Sequence, residues 1–158
     1  MDPNRLGGPA ATPVVVDKNT PPTFYRGAGR IDGFRGVRPD GADRPEDWIA
    51  STVTRLGDPV AGLTVLADGT ALRDLVRADP AAWLGATAAA DPALEVPLVK
   101  LLDAGQRLPV HLHPSDAQAR ALGVGSNGKA EAWCVLDAPP GGVVHLGWTR
   151  DIGRAELL

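Results

Sequence analysis

At 158 residues the chain suits one domain and leaves little room for two. Its net charge of -3 argues against a general nucleic-acid or membrane-surface binder, and no apolar run approaches the roughly 20 residues that span a bilayer. One cysteine, Cys134, allows no internal disulfide and fits a reducing cytoplasm, and the start from Met1 to Arg5 lacks the basic and apolar segments of a signal peptide.

In chain order, residues 1–20 read as a flexible leader, with Val14 to Asp17 as a possible short strand. Lys18 to Pro45 is rich in Gly, Pro, Arg and Asp, which predicts turns and loops. Asp47 to Thr54 and Val60 to Leu66 are β-branched and apolar, and read as strands. Thr70 to Arg77 reads as a helix with Thr70 as N-cap and Asp79-Pro80 as its stop, and a second short helix fits Pro80 to Ala90. Then come four strand-like runs, Val96 to Leu102, Leu108 to His113, Glu131 to Asp137 and Val143 to Trp148, separated by Gly, Pro or Asp. Ser115 to Leu122 interrupts them as a helix, followed by the Gly-rich loop at Val124 to Gly128, and another helix begins near Thr149. Short strands at this spacing predict a mainly β fold of the sandwich or barrel type over 21–158. Unpaired strand edges and apolar surface in an incomplete barrel would favour a homodimer.

The chemistry concentrates near His111 and His113. Two residues apart on a strand, they share one face, while Val110 and Leu112 point the other way. Two imidazoles on one face can grip zinc, iron, copper or nickel. Glu131, opening the next run, would supply a carboxylate as third ligand and leave a position open for water or substrate, as catalytic metals require. Solvated or packed histidines and a solvated glutamate remain the plain alternative, since His-x-His is a short motif. His145 is a further possible ligand or an ordinary strand residue. Lys100, alone among apolar residues, must reach solvent or a polar cavity. Lys129 lies two residues before Glu131, and two ammonium groups near a metal would suit a phosphorylated or carboxylated substrate. Cys134 alternates away from Glu131 and reads as core. No Ser-His-Asp arrangement, phosphate-cradling Gly loop or nucleotide fingerprint is present.

Gly105-Gln-Arg-Leu-Pro-Val-His-Leu-His113 fits the first cupin motif, a Gly followed after five residues by His-x-His. The stretch from Val96 to Asp116, followed by Gly128-Lys-Ala-Glu-Ala-Trp133, resembles the zinc-dependent type I mannose-6-phosphate isomerases, which carry "P-L-x-K-x-L-D-A", "V-Q-x-H-P-x-D" and "G-K-x-E-x-W". Glu46-Asp-Trp-Ile-Ala-Ser51 and Gly69-Thr-Ala-Leu-Arg-Asp-Leu75 also look like that family, so the resemblance covers most of 44–150. It implies a cupin-like β-barrel, or jelly roll, with a few short helices. His113 and Glu131 then match two zinc ligands, and His111 stands where the family usually has Gln. Lys100 and Lys129 match lysines that face the phosphorylated sugar. Pro109 stands where relatives often carry Ser.

The family is about twice as long and draws a further His and a catalytic Arg from the second half. The expectation is therefore an N-terminal portion of such a fold, incomplete at its C-terminus. Two readings follow. One is a cytoplasmic isomerase that interconverts mannose 6-phosphate and fructose 6-phosphate through an enediol, with one zinc ion and with Lys100 and Lys129 in the active site. The other is a non-catalytic metal- and sugar-binding cupin, or a fragment inactive without its C-terminal half. The two-His, one-carboxylate set also resembles that of iron oxygenases, a more distant reading.

Overall fold

A computed structural model describes residues 13–39, 44–90 and 96–157. The elements are, in order, α1 (Arg30–Arg35), β1 (Glu46–Ile49), α2 (Leu72–Ala78), α3 (Pro80–Leu84), α4 (Ala86–Ala89), β2 (Val99–Leu102), α5 (Asp116–Ala121) and α6 (Arg154–Leu157). They fall into two compact units, Met1–Pro109 and Val110–Leu158.

The described residues do not form the expected cupin-like barrel. The described residues hold one sheet of two antiparallel strands, β1 and β2, paired Glu46 with Leu102 through Ile49 with Val99. Of the expected strands, Asp47 to Thr54 contributes only Asp47 to Ile49 and Val96 to Leu102 only Val99 to Leu102. Val14 to Asp17, Leu108 to His113, Glu131 to Asp137 and Val143 to Trp148 form no ladder, and Val60 to Leu66 contributes a single bridge, Val65 to Ala71. Alternating β-branched residues favour an extended chain, but a strand also needs a backbone partner at fixed register, and these runs find none among the described residues.

In the first unit, β1 and β2 are extended by loops. Asp103 donates its N–H to Pro45 O (2.8 Å), and Gly105 donates to Arg26 O (3.0 Å) beside the Gly27–Ala104 bridge. The motif glycine Gly105 is needed here for packing: a Cβ on it would lie 2.1 Å from Gly27 O. Asn19 ties three segments together, accepting from Trp48 N–H (2.8 Å) through its carbonyl and donating from Nδ2 to Trp48 O (3.1 Å) and Gly62 O (2.7 Å). Residues 1–12 of the expected leader lie outside the described residues.

Apolar burial in this unit is slight, with Ile31, Trp48 and Leu72 its buried hydrophobic residues; polar groups fill the rest, including Asp32, Glu46, Asp47, Ser51, Thr64 and Asp103. Such groups are tolerated inside when they are bonded or paired with an opposite charge. Asp47, wholly buried, accepts from Asn19 N–H (2.8 Å) and pairs with Arg35 Nε (2.9 Å). Asp32 pairs with Lys18 (2.5 Å).

Helix α1 falls where the Gly and Pro content predicts only loops. Its N-terminus has no local cap, because Gly29 precedes it; the Asp103 carboxylate supplies one from 73 residues away, accepting from Arg30 N–H (2.7 Å) and from Ala28 N–H (3.1 Å). Gly36, with φ 65°, ends it. Helix α2 is the expected one, but Ala71 rather than Thr70 occupies its N-cap; Thr70 closes the preceding turn, its N–H bonded to Asp68 Oδ1 (2.9 Å). Asp79 ends α2 and caps α3 by accepting from Ala82 N–H (3.0 Å), with Pro80 at the first helical turn.

The second unit contains α5 and α6 and no strand among its described residues. Ala119 is its buried apolar residue, while Leu112, Val143 and Leu146 stand open, Leu146 at 97% exposure. Cys134, read from the sequence as core, is exposed. Among the described residues, no helix is long and apolar enough to cross a membrane.

Candidate metal centre

The centre is built by a loop that leaves at His113 and returns at Lys129. Ser115 starts α5 with a full capping box: its hydroxyl accepts from Gln118 N–H (3.3 Å), and its own N–H donates to Gln118 Oε1 (2.8 Å). Val124 N–H bonds Ala119 O (3.1 Å) and Arg120 Nη1 donates to Ser126 O (2.8 Å), which folds the Gly-rich loop back on the helix. Two bonds then close the return: Gly128 N–H to Asp116 Oδ1 (2.7 Å) and Lys129 N–H to Pro114 O (3.0 Å). Only glycine fits at 128, since a Cβ there would come within 2.4 Å of Pro114 O. The fold thus needs no sheet to bring the segment at 129–131 beside His113.

The structure brings together the three side chains singled out in the sequence as candidate ligands. One ligand atom each from His111, His113 and Glu131 lies within 4.8 Å of the others. The two imidazole centroids are 4.9 Å apart and tilted by 41°. His113 Nε2 is 3.7 Å from Glu131 Oε2, close to the roughly 3.3 Å that separates two donors on a tetrahedral ion with bonds of about 2.0 Å. Two imidazole nitrogens and a carboxylate oxygen are a donor set that zinc and other borderline divalent metals accept. The residues present therefore fit such an ion. The His113 and Glu131 side chains are 23% and 24% exposed, whereas His111 is open to solvent. His145 lies outside the group.

Lys129 belongs to the centre as well, its Nζ 3.4 Å from Glu131 Oε1. Partial burial raises the Glu131 pKa, but a hydrogen bond from Trp133, the Lys129 charge and hydrogen bond, and His113 together outweigh it and hold the carboxyl below its ordinary value.

Lys100 sits in the other unit. It pairs there with Glu46 (3.2 Å) and lies 5.9 Å from the centroid of the Trp48 ring. Glu46 is the hub of this cluster: it also accepts from the Tyr25 hydroxyl and from Trp48 Nε1 (2.6 Å). Burial raises the Glu46 pKa, and the bonds from Tyr25, Trp48 and Lys100 more than reverse that, leaving it lowered. Sequence reading missed Glu46 and Tyr25 as partners of Lys100, because the β1–β2 pairing and the side-chain bond from Tyr25 to Glu46 join residues distant in the chain.

Comparison with family models, with curated proteins and with solved structures finds no match to this chain.

Proposed function

We propose that the chain binds one divalent metal ion, zinc by its donor set, through His111, His113 and Glu131, and acts on a phosphorylated sugar as an aldose–ketose isomerase. The convergence of those three side chains within 4.8 Å carries the metal reading. The substrate class rests on the motif resemblance, with mannose 6-phosphate and fructose 6-phosphate as the pair, and the single cysteine is consistent with a cytoplasmic setting.

When bound, the metal supplies Lewis-acid polarisation of sugar oxygens. The chain's own residues do the rest. Glu131 anchors one side of the site. Lys129, half exposed beside it, offers an ammonium to the anionic part of the substrate. Lys100 enters this reading only through the resemblance.

A second reading is favoured by one observation. His111 is exposed, and a proton moved between sugar carbons is best shielded from water. A metal- and sugar-binding protein without turnover fits that openness.

Protein purified without added metal should carry about one equivalent of divalent ion, and the His111→Ala, His113→Ala double variant should carry none. Equal metal in both removes the proposal. With zinc added, a coupled assay should detect fructose 6-phosphate formed from mannose 6-phosphate; bound metal with no turnover at high protein concentration leaves the second reading.

A further inference from the structure

A zinc site closed by protein alone has four donors in a tetrahedron, and His111, His113 and Glu131 supply three. The remaining histidine, His145, is exposed and lies outside that group in its own chain. Its segment repeats the ligand segment: Val-His-Leu stands at 110–112 and again at 144–146. Both segments belong to the same unit, and neither enters a helix or a ladder among the described residues. Both are apolar and open. Leu112, between the two ligand histidines, is 88% exposed, and Val143, Val144, Leu146 and Trp148 stand in solvent around His145.

Open apolar surface beside an ion with a vacant position calls for a partner that is itself apolar and brings one neutral nitrogen donor. The segment from Val143 to Trp148 has that composition. No Lys, Arg, Asp or Glu lies in it or in Pro109 to Pro114, so two copies can meet there without repulsion between fixed charges, despite the net charge of -3.

We infer that His145 of a second copy is the fourth donor, so that two chains associate about a two-fold axis and each closes the metal centre of the other. The inference rests on the metal reading above and not on the isomerase reading. A two-fold arrangement uses each contact twice and stops at two chains. In it an imidazole holds the position that a sugar oxygen would take, so association regulates the centre: substrate reaches the ion in the monomer, or by displacing His145.

The test is the mass of the full chain by light scattering, first with metal removed by a chelator and then with zinc restored. The metal-free chain should be a monomer, and the zinc form should have twice its mass. His145→Ala should still take up about one zinc ion per chain through the three other ligands, and should stay monomeric. Mixing tests whether the donor comes from the second chain. The His111→Ala, His113→Ala double variant keeps His145 and lacks a centre, whereas His145→Ala keeps the centre. Neither should dimerise alone with zinc, and an equal mixture at high protein concentration should form a heterodimer. A dimer already present without metal, or a zinc dimer in His145→Ala, assigns association to the apolar surface and overturns the role of His145, as does a mixture that stays monomeric. An unsubstituted chain that binds zinc as a monomer overturns the inference and leaves the metal reading standing. An unsubstituted chain that binds no zinc overturns both.

Discussion

In the unit that ends at Pro109, carboxylates and cations are buried against one another: Asp47 with Arg35, Asp32 with Lys18, Glu46 with Lys100. In the unit from Val110 onward, large apolar side chains stand in solvent, and order comes from one capped helix and two bonds that return the chain to Pro114 and Asp116. The first arrangement is costly to break, because a removed partner leaves a buried charge behind. The second is cheap to perturb, yet it carries the three metal-ligand candidates. Substitutions in the first unit should therefore act on folding, and those in the second on the centre.

The sharpest way to break this contrast is Asp47→Ala. It strips the partner from Arg35 and the acceptor from Asn19 N–H, with the carboxylate wholly buried. A loss of about 3–5 kcal/mol is expected in urea unfolding; a loss under about 1 kcal/mol would mean that the buried pair does not support the unit.

In the second unit, Gly128→Ala places a methyl against Pro114 O and must push the returning segment away. Overpacking of this kind costs about 1–3 kcal/mol, which appears here as zinc binding weaker by roughly ten- to a hundredfold. Unfolding of the first unit should not change. Equal zinc affinity would show that the loop closure does not set the ligand spacing.

The smallest effect is a pH dependence. The folded pKa of Glu46 is lowered, so its contribution to stability is complete above the ordinary glutamate value of about 4.3 and is lost as pH falls through the lower folded value. Melting temperatures taken down through that range should fall, and Glu46→Gln should flatten this part of the profile. The same slope in both proteins would assign the acid sensitivity to other carboxylates.

Helix signals were legible where the deciding contacts are local. Ser115 with Gln118 state a helix start within four residues, and α5 begins there; Asp79-Pro80, read as the stop of α2, ends it and also caps α3. The ligand candidates were legible too, because His111, His113 and Glu131 carry metal-binding groups wherever the backbone puts them. That the expected barrel would not form among the described residues was not legible. Alternation at 131–137 and 143–148 records a preference for an extended chain, and says nothing of whether a partner strand exists.

By itself, then, the sequence determined the chemical inventory of the centre and the helices capped from nearby. Tertiary structure alone decided that α1 exists, through Asp103; that Glu46 gathers Tyr25, Trp48 and Lys100; and that a glycine-closed loop, in place of a sheet, sets Glu131 beside His113. The physical reason is the same in each case. A cap, a pair or a close approach made between distant residues depends on where the chain returns, and short-range spacing does not encode that return.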